Sequence, residues 1–511
     1  MGVDDFWKIA EKASEMVSFK QLAMRCVLEK DRPMVVGVDA CLWLNQCQAA
    51  FYKPRHAQAG RNPELRALLY KVALLNQAGV IAIFVKDGPN RPNVKRNKHV
   101  RAQPHWLVAE FTEIIELFGF YSYTAPGEAE AELARLSREG AIDAVLTDDS
   151  DAAIFGAHCI IRSLDKKKRD LVTVYTSNAL ENTPTVGLTL GGMFLLAVLR
   201  GGDYDTIGLA NCGINIAHAL ARCGFGDTLL AAVLNMAEGE LRHFVIRWRE
   251  EVRTELASNS RGHMKSKQKA LSTKIPDTFP SLRVLKLYAQ PITSWSEGFH
   301  PPATDSWVAQ VPSLPELALY CSRKFGWSPL DLVGKFKKLV FTGVFMRRLT
   351  LPLDVQQHLH NHVILGRVTE EQPPLSAFLD IIGREEVAPG FFTYKMTFCT
   401  GGLASTMLSR IDCHASAAGP AGAKAAQSMP ASLVERYFPQ MVRRFLQASN
   451  LPHVPTATPV AAEVLPSVTN IPGSPVSKPV KWLGLIYYTK EGCYVMLKRA
   501  NEIAYLSFRQ T

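Results

Sequence analysis

No two of the ten cysteines form a CxxC pair, and no His/Cys spacing of a zinc site is present. This argues against structural zinc and a disulfide framework, and points to a reducing intracellular compartment. No apolar run approaches the roughly 18 residues needed to span a bilayer. The N-terminal Met1-Gly2-Val3-Asp4-Asp5-Phe6-Trp7 lacks the basic-then-apolar pattern of a signal peptide. It also carries Phe6 where a myristoylation signal has Ser or Thr. A soluble chain with no membrane partner is expected. Acid is the scarcer charge, with 47 Asp+Glu against 58 Lys+Arg and a net charge of +11. That excess favours a polyanionic partner, nucleic acid first. At 511 residues and 47% hydrophobic content, the chain can form several domains, each with its own core.

The first 235 residues alternate short apolar runs with stretches of helical spacing. Met34 to Val38 ends at Asp39, Val80 to Val85 ends just before Asp87, and Ala144 to Thr147 ends at Asp148-Asp149. Between them, Pro63 to Ala78 and Val108 to Phe118 carry apolar residues at helical period. The expected class is α/β with a mostly parallel central sheet. Ligands of such sheets lie beyond the carboxyl ends of the strands, where all three runs end in acid. Leu190 to Arg200 reads as a buried helix and Glu238 to Leu256 as a long solvent-facing one. A helical segment runs from Leu314 to Leu349. Farther on, a strand is expected at Phe391 to Cys399, a flexible loop at His414 to Ser432, and a helix from Leu433 to Leu446. Residues 451–480, rich in Pro, Ala, Val, Thr and Ser, read as a disordered linker. Residues 481–511 are strand-prone but unassigned.

The densest chemistry is Gly127-Glu128-Ala129-Glu130-Ala131-Glu132, followed by Thr147-Asp148-Asp149-Ser150-Asp151. Acids two apart on a solvated helix are the plain alternative. Here one set opens a helix, where the macrodipole tolerates anions, and the other follows an apolar strand. Carboxylates converging in a sheet-end crevice repel unless divalent cations hold them. Oxygen-only ligands favour Mg²⁺ or Mn²⁺ over zinc. Two such ions about 3.5–4 Å apart suit phosphodiester hydrolysis. A Toprim-type site would use the same chemistry, but the strand-end acids Asp39 and Asp87 argue against it.

Met1-Gly2-Val3 and Val38-Asp39-Ala40 resemble the N-terminal region of the XPG/flap-endonuclease family. Asp87-Gly88-Pro89, Ala125 to Glu130 and Thr147 to Asp151 resemble its internal region. Gly202-Asp203-Tyr204, with Gly208 and Gly213, resembles its helix-two-turn-helix. The motifs stand in the family's order across about 230 residues. The resemblance implies a PIN-like nuclease domain in which Asp39, Asp87, Glu128, Glu130, Asp149, Asp151 and Asp203 are both catalytic and metal-binding. Two Mg²⁺ ions are implied, with Mn²⁺ able to substitute, and K⁺ at the helix-two-turn-helix is an option. Glu132, Asp148 and Asp205 fall outside the matched positions and read as solvated neighbours. Lys86 stands where the family has an apolar residue.

Lys86 to His105 holds six Lys/Arg and only Asp87 as acid. A solvated face is the bland reading; the resemblance implies an arch in which Lys95, Arg96, Lys98 and Arg101 contact DNA. Arg162, Lys166, Lys167 and Gly213 are further DNA-contact candidates. The 40 residues between Asp87 and Glu128 are few for an arch that encloses a single strand, and suit a bulkier four-way junction. Asp87 to Pro92, Lys95 to Lys98 and Lys274 to Pro280 look like the fungal Holliday-junction resolvase branch (GEN/Yen type). The expected layout is a nuclease domain over 1–350, with its N-terminal region at 1–105, its internal region at 120–205 and the helix-two-turn-helix near 203–235. A chromodomain-like module over 360–450 follows. The implied partner is branched double-stranded DNA (four-way junctions and flaps), met in the nucleus by a chain that is monomeric when free and dimeric on a junction. A 5′-flap or bubble endonuclease and a non-cutting junction scaffold are the alternatives.

Overall fold

The computed structural model describes residues 2–51, 60–100, 105–162, 171–350, 377–388, 391–411 and 424–449. Of the C-terminal end it describes 483–489, 492–499 and 502–508. The strands are β1 (Ser14–Ser18), β2 (Val35–Asp39), β3 (Ile81–Lys86), the short β4 (Val94–Lys95) and β5 (Lys98–His99), β6 (Tyr121–Thr124), β7 (Ala144–Leu146), β8 (Cys159–Arg162) and β9 (Leu171–Thr176). Seven of them form one sheet in the order β1-β9-β8-β7-β2-β3-β6, while β4 and β5 pair as a separate hairpin. The pairs β7/β8, β2/β7, β2/β3 and β3/β6 are parallel. The pairs β8/β9 and β1/β9 are antiparallel, so the sheet is mixed at one edge and parallel through its centre.

Strand alternation divides the apolar side chains between two cores. Val36, Val38, Ala82 and Phe84 face one, against the helices Phe19–Lys30, Ala40–Phe51, Pro63–Ala78 and Val108–Leu117. Val35, Ile83, Val85 and Val145 face the other, against Ala129–Arg138 and Leu190–Arg200. Both faces are therefore covered, which is why β2 and β3 read as unbroken apolar runs. A Cβ at Gly37 in the middle of β2 would stand 2.5 Å from Leu133 Cδ2. Glycine there lets the helix Ala129–Arg138, which begins just after Glu128, lie against the strand that ends in Asp39.

The helices Pro63–Ala78 and Leu190–Arg200 have the expected bounds. Thr189 caps the second by accepting from Gly192 N at 2.9 Å. Glu238–Ser258 differs from the expected solvent-facing helix, because it buries Trp248, Val252 and Leu256. The segment from Leu314 to Leu349 is three helices, Leu314–Phe325, Pro329–Leu339 and Phe341–Thr350. Pro329 starts the second, where its missing N–H costs nothing.

Downstream, β10 (Phe378–Ala388), β11 (Phe391–Cys399) and β12 (Lys424–Pro430) form an antiparallel sheet. β12 lies inside the expected flexible loop: its small residues pair along β11 instead. The helix expected from Leu433 to Leu446 is two, Ala431–Tyr437 and Pro439–Ser449, because Pro439 cannot continue the first. Phe345, in the last of the three helices above, packs on Phe378 and Phe398 at ring-centroid distances of 5.0 and 4.1 Å. The small sheet thus shares its core with the body of the chain. Tyr394, Met396 and Phe398 all face that core. The linker expected at 451–480 lies outside the described residues. The strand-prone tail forms β13 (Leu483–Thr489), β14 (Gly492–Arg499) and β15 (Glu502–Phe508), an antiparallel sheet of its own. The eight cysteines whose side chains are described are free thiols. Among the described residues no single helix is long and apolar enough to cross a membrane.

Candidate metal centre

β7, β2 and β3 are neighbours, and their carboxyl ends deliver Asp149, Asp39 and Asp87 to one edge of the sheet. Glu128 is the N-cap residue of the helix Ala129–Arg138 and Glu130 lies in its first turn. Asp151 starts a short helix, and Asp203 sits in the loop after Leu190–Arg200. All seven predicted acids come together: Asp39 feels Asp87 and Asp149, Glu130 feels Asp39, Asp87 and Asp149, and Asp151 feels Asp149, Asp203 and Glu128. Six are buried; Asp87 is partly open.

Backbone donors fix several of them. Leu42 N donates to Asp39 Oδ1 at 2.8 Å, Ala129 N to Asp87 Oδ1 at 2.9 Å and Asp151 N to Asp149 Oδ1 at 3.2 Å. Burial, followed by repulsion from Asp87, pushes Asp39 up to about 7. Glu130 and Asp151 are held well above the usual carboxylate range, burial again leading. Such groups are neutral, or paired with cations. The cations in place are protein ones. Lys95 Nζ makes an ion pair with Glu128 Oε1 and stands 3.4 Å from Asp203 Oδ2. Burial works against its charge, yet Glu130, Glu128 and Asp203 hold its pKa well above the ordinary lysine value. Arg96 Nε donates to Asp203 Oδ1 at 2.8 Å, and Arg91 Nη1 to Asp87 Oδ2 at 2.7 Å.

Glu130 Oε2 and Asp151 Oδ1 are buried without a hydrogen-bond partner, and Glu128 Oε1 has only the ion pair to Lys95. An all-oxygen set with unpaired buried carboxylate oxygens fits a hard divalent cation. As the side chains stand, no three His, Cys, Asp or Glu residues among the described ones gather closely enough to hold an ion. Lys95 and Arg96 take up that role instead.

The other predicted residues are scattered. Lys98 is exposed on the β4–β5 hairpin, which is all the described arch contains, while Arg101, Lys166 and Lys167 lie outside the described residues. Arg162 is already engaged, its guanidinium 4.1 Å from the Trp7 ring and its Nε 3.6 Å from Asp148. Gly213 caps the helix Ile214–Arg222 with open space where a side chain would stand. Lys86 points away from the acids, to Thr112 Oγ1 at 3.4 Å.

Glu132 corrects the sequence reading: it is fully buried, not solvated. It accepts from Tyr123 OH at 3.0 Å and Ser294 N at 2.8 Å, tying a distant segment to the site helix. Asp148 and Asp205 are engaged as well; Asp205 Oδ1 accepts from Ile207 N at 3.0 Å. Tyr204, whose hydroxyl donates to Glu128 Oε2, is signalled in the sequence only by its place beside Asp203. Gly2 has φ +72°, and a Cβ there would lie 2.5 Å from Asp149 Oδ1 and 2.6 Å from Asp151 Oδ1. The N-terminal segment is thus one wall of the site.

Residues 119–203 match the XPG I-region, a span that contains five of the seven acids. Over this span the chain is similar to nucleases of the XPG type. It is 28% identical over 249 residues to mouse flap endonuclease GEN homolog 1, covering 45% of this chain and 26% of that one. Flap endonuclease GEN-like 1 of Arabidopsis thaliana is 27% identical over 269 residues, 47% of this chain and 42% of that one. The chain therefore spans between about a quarter and two-fifths of these relatives' length. Among solved structures, the Holliday junction-resolving enzyme GEN1 in complex with product DNA and Mg²⁺ superposes with a TM-score of 0.65 at 26% identity, covering 88% of this chain and 100% of that one. The junction-resolving enzyme GEN-1 binding potassium gives 0.67 at 25%, with the same coverages. The likeness of fold to these GEN structures thus extends well beyond the I-region.

Proposed function

We propose that the chain is a divalent-metal-dependent endonuclease that nicks branched DNA, with the four-way junction as its main substrate. The observation that carries this reading is the convergence of seven acids, several with unpaired buried oxygens, at the carboxyl edge of the parallel strands. Asp39, Asp87, Glu128, Glu130, Asp149, Asp151 and Asp203 would hold the metal. A bound pair of Mg²⁺ or Mn²⁺ ions would supply an activated water and stabilise the leaving oxygen. The chain's own groups do the rest. Backbone amides at Leu42, Ala129 and Asp151 aim the carboxylates, and Tyr204 orients Glu128. Lys95 and Arg96 neutralise the cluster until substrate and metal arrive, then turn to the DNA phosphates. The short hairpin between Asp87 and Glu128 leaves room for a duplex arm rather than a threaded strand.

The PIN-like sheet over 1–350 carries the chemistry. The loop at 201–213 with its two following helices serves as the helix-two-turn-helix, where K⁺ would bind. The chromodomain-like sheet near 360–450 extends the DNA contact surface. Two copies acting on one junction, in the nucleus, complete the reading. Labelled four-way junction, 5′-flap and bubble DNA with Mg²⁺ test it. Paired nicks in the junction at rates equal to or above those on flaps support it; cleavage confined to flaps or bubbles favours the alternative nuclease reading.

A further inference from the structure

Beside the acid cluster lies a cleft of about 390 Å³, between the turn after Asp87 and the segment around residues 294–302. Its size falls in the range of small-ligand pockets, roughly 300–1,000 Å³. Pro89 and Asn90, just after Asp87, form one wall, and Thr124 to Pro126, just before Glu128, form the floor. These walls are pinned to each other: Gly88 N donates to Gly127 O at 2.7 Å and Asn90 N to Pro126 O at 3.0 Å. The opposite wall bears Phe299 and His300 and is tied to the site helix through Ser294 N and Glu132 Oε2. Glu132 and Tyr123, which no catalytic step uses, thus have a purpose in holding this cleft open next to the acids.

We infer that the cleft is a subsite for the nucleobase of a nucleotide flanking the scissile phosphate. The inference rests on the endonuclease reading and adds where the DNA goes. Among the described residues no Lys, Arg, Asp or Glu lines the cleft, so they offer a phosphate no acidic or basic partner there. What it offers is an exposed aromatic ring at Phe299, a second ring at His300, flat proline faces, and the neutral polar groups of Asn90 and Thr124. A planar base with a polar edge matches that lining: stacking supplies the binding and tolerates any sequence. The phosphate joined to such a nucleotide would then lie toward Asp87 and Glu128, whose neighbours in sequence build the cleft.

The test is an abasic scan. A four-way junction carries one abasic nucleotide at each position flanking the cut in turn, and single-turnover cleavage is measured for wild type, Phe299→Ala and Asn90→Ala. Both side chains are exposed, so the variants should fold. One flanking position should slow the wild type by roughly five- to twentyfold when its base is removed, the range expected of a lost stacking contact. F299A should be slowed similarly on intact DNA and lose nothing further at that position. A flat scan in the wild type, or losses that multiply at every position, would overturn the subsite while leaving the nuclease reading intact. A wild type that cuts no branched DNA would remove that reading and the subsite with it.

Discussion

Arg96 and Asp203 are joined twice: Arg96 Nε donates to Asp203 Oδ1 at 2.8 Å, and Arg96 N donates to Asp203 O at 2.7 Å. The tip of the β4–β5 hairpin is therefore locked to the loop that carries the last acid of the cluster. Asn97 Nδ2 extends the lock to Thr206 Oγ1 at 2.9 Å, and Arg96 Nη2 reaches Gly2 O at 2.7 Å. Within a stretch whose charge pattern alone could have been a solvated face, Arg91, Lys95 and Arg96 pair with the acids of the site.

Lys95→Ala should consequently lower the stability of the metal-free protein by roughly 1–3 kcal/mol, because it strips buried carboxylates of a partner. Mg²⁺ should restore most of that loss, and the half-saturating Mg²⁺ concentration should fall, since ion and ammonium compete for the same oxygens. Thermal unfolding across a Mg²⁺ titration checks this. An equal loss with and without Mg²⁺ would mean that Lys95 is not displaced by the ion. Lys98→Ala, at an exposed position of the hairpin, serves as the control and should change neither quantity.

Glu132 separates positioning from catalysis. Glu132→Ala leaves Tyr123 OH and Ser294 N unpaired in the interior, at a cost of roughly 1–3 kcal/mol. Cleavage at saturating Mg²⁺ should fall less than about tenfold, or roughly 1.4 kcal/mol of barrier. Glu132→Gln, which keeps an acceptor oxygen, should recover some of the stability. A variant of wild-type stability that has lost all cleavage would make Glu132 a metal ligand.

Asp143 sets a pH dependence far from the site. Burial works to raise its pKa, but hydrogen bonds from Arg32, Lys30 and Val35 N outweigh it and hold the carboxyl at about 2. The folded value lies below the ordinary one of 3.8. The contribution is therefore fully present above about pH 4 and is lost as pH falls through the folded value. Lys30 and Arg32 are substantially exposed, so about 1–2 kcal/mol remains after solvent screening. Urea unfolding of wild type and Asp143→Asn should show that gap at pH 7, narrowing below about pH 4. A gap that is constant with pH would remove the charge from the explanation.

Much of the fold can be read from the chain because β2 and β3 are buried on both faces and lead into Asp39 and Asp87, which marks strand, direction and site together. The helix Pro63–Ala78 is equally legible, with Pro63 at its start and Gly79 just past its end. Legibility fails where the deciding partner is distant in sequence. β12 is a strand only because β11 lies beside it, and its Lys-Ala-Ala-Gln-Ser composition carries no strand signal of its own. Glu132 reads as solvated because nothing near it in sequence announces Ser294, 162 residues away. The ion pairs of Lys95 and Arg96 with the acids could not be read either, because charge shows in a sequence and the identity of the counter-charge does not.

The most direct test of the metal centre is single-turnover cleavage of a four-way junction in Mg²⁺ by wild type and by the double variant Glu128→Gln, Glu130→Gln. Removing two oxygen charges should cost at least about a hundredfold in rate, roughly 2.7 kcal/mol of barrier. Junction affinity should hold or tighten, because the removed charge repels DNA. Cleavage within about tenfold of wild type, roughly 1.4 kcal/mol, would contradict the assignment of these acids to the metal.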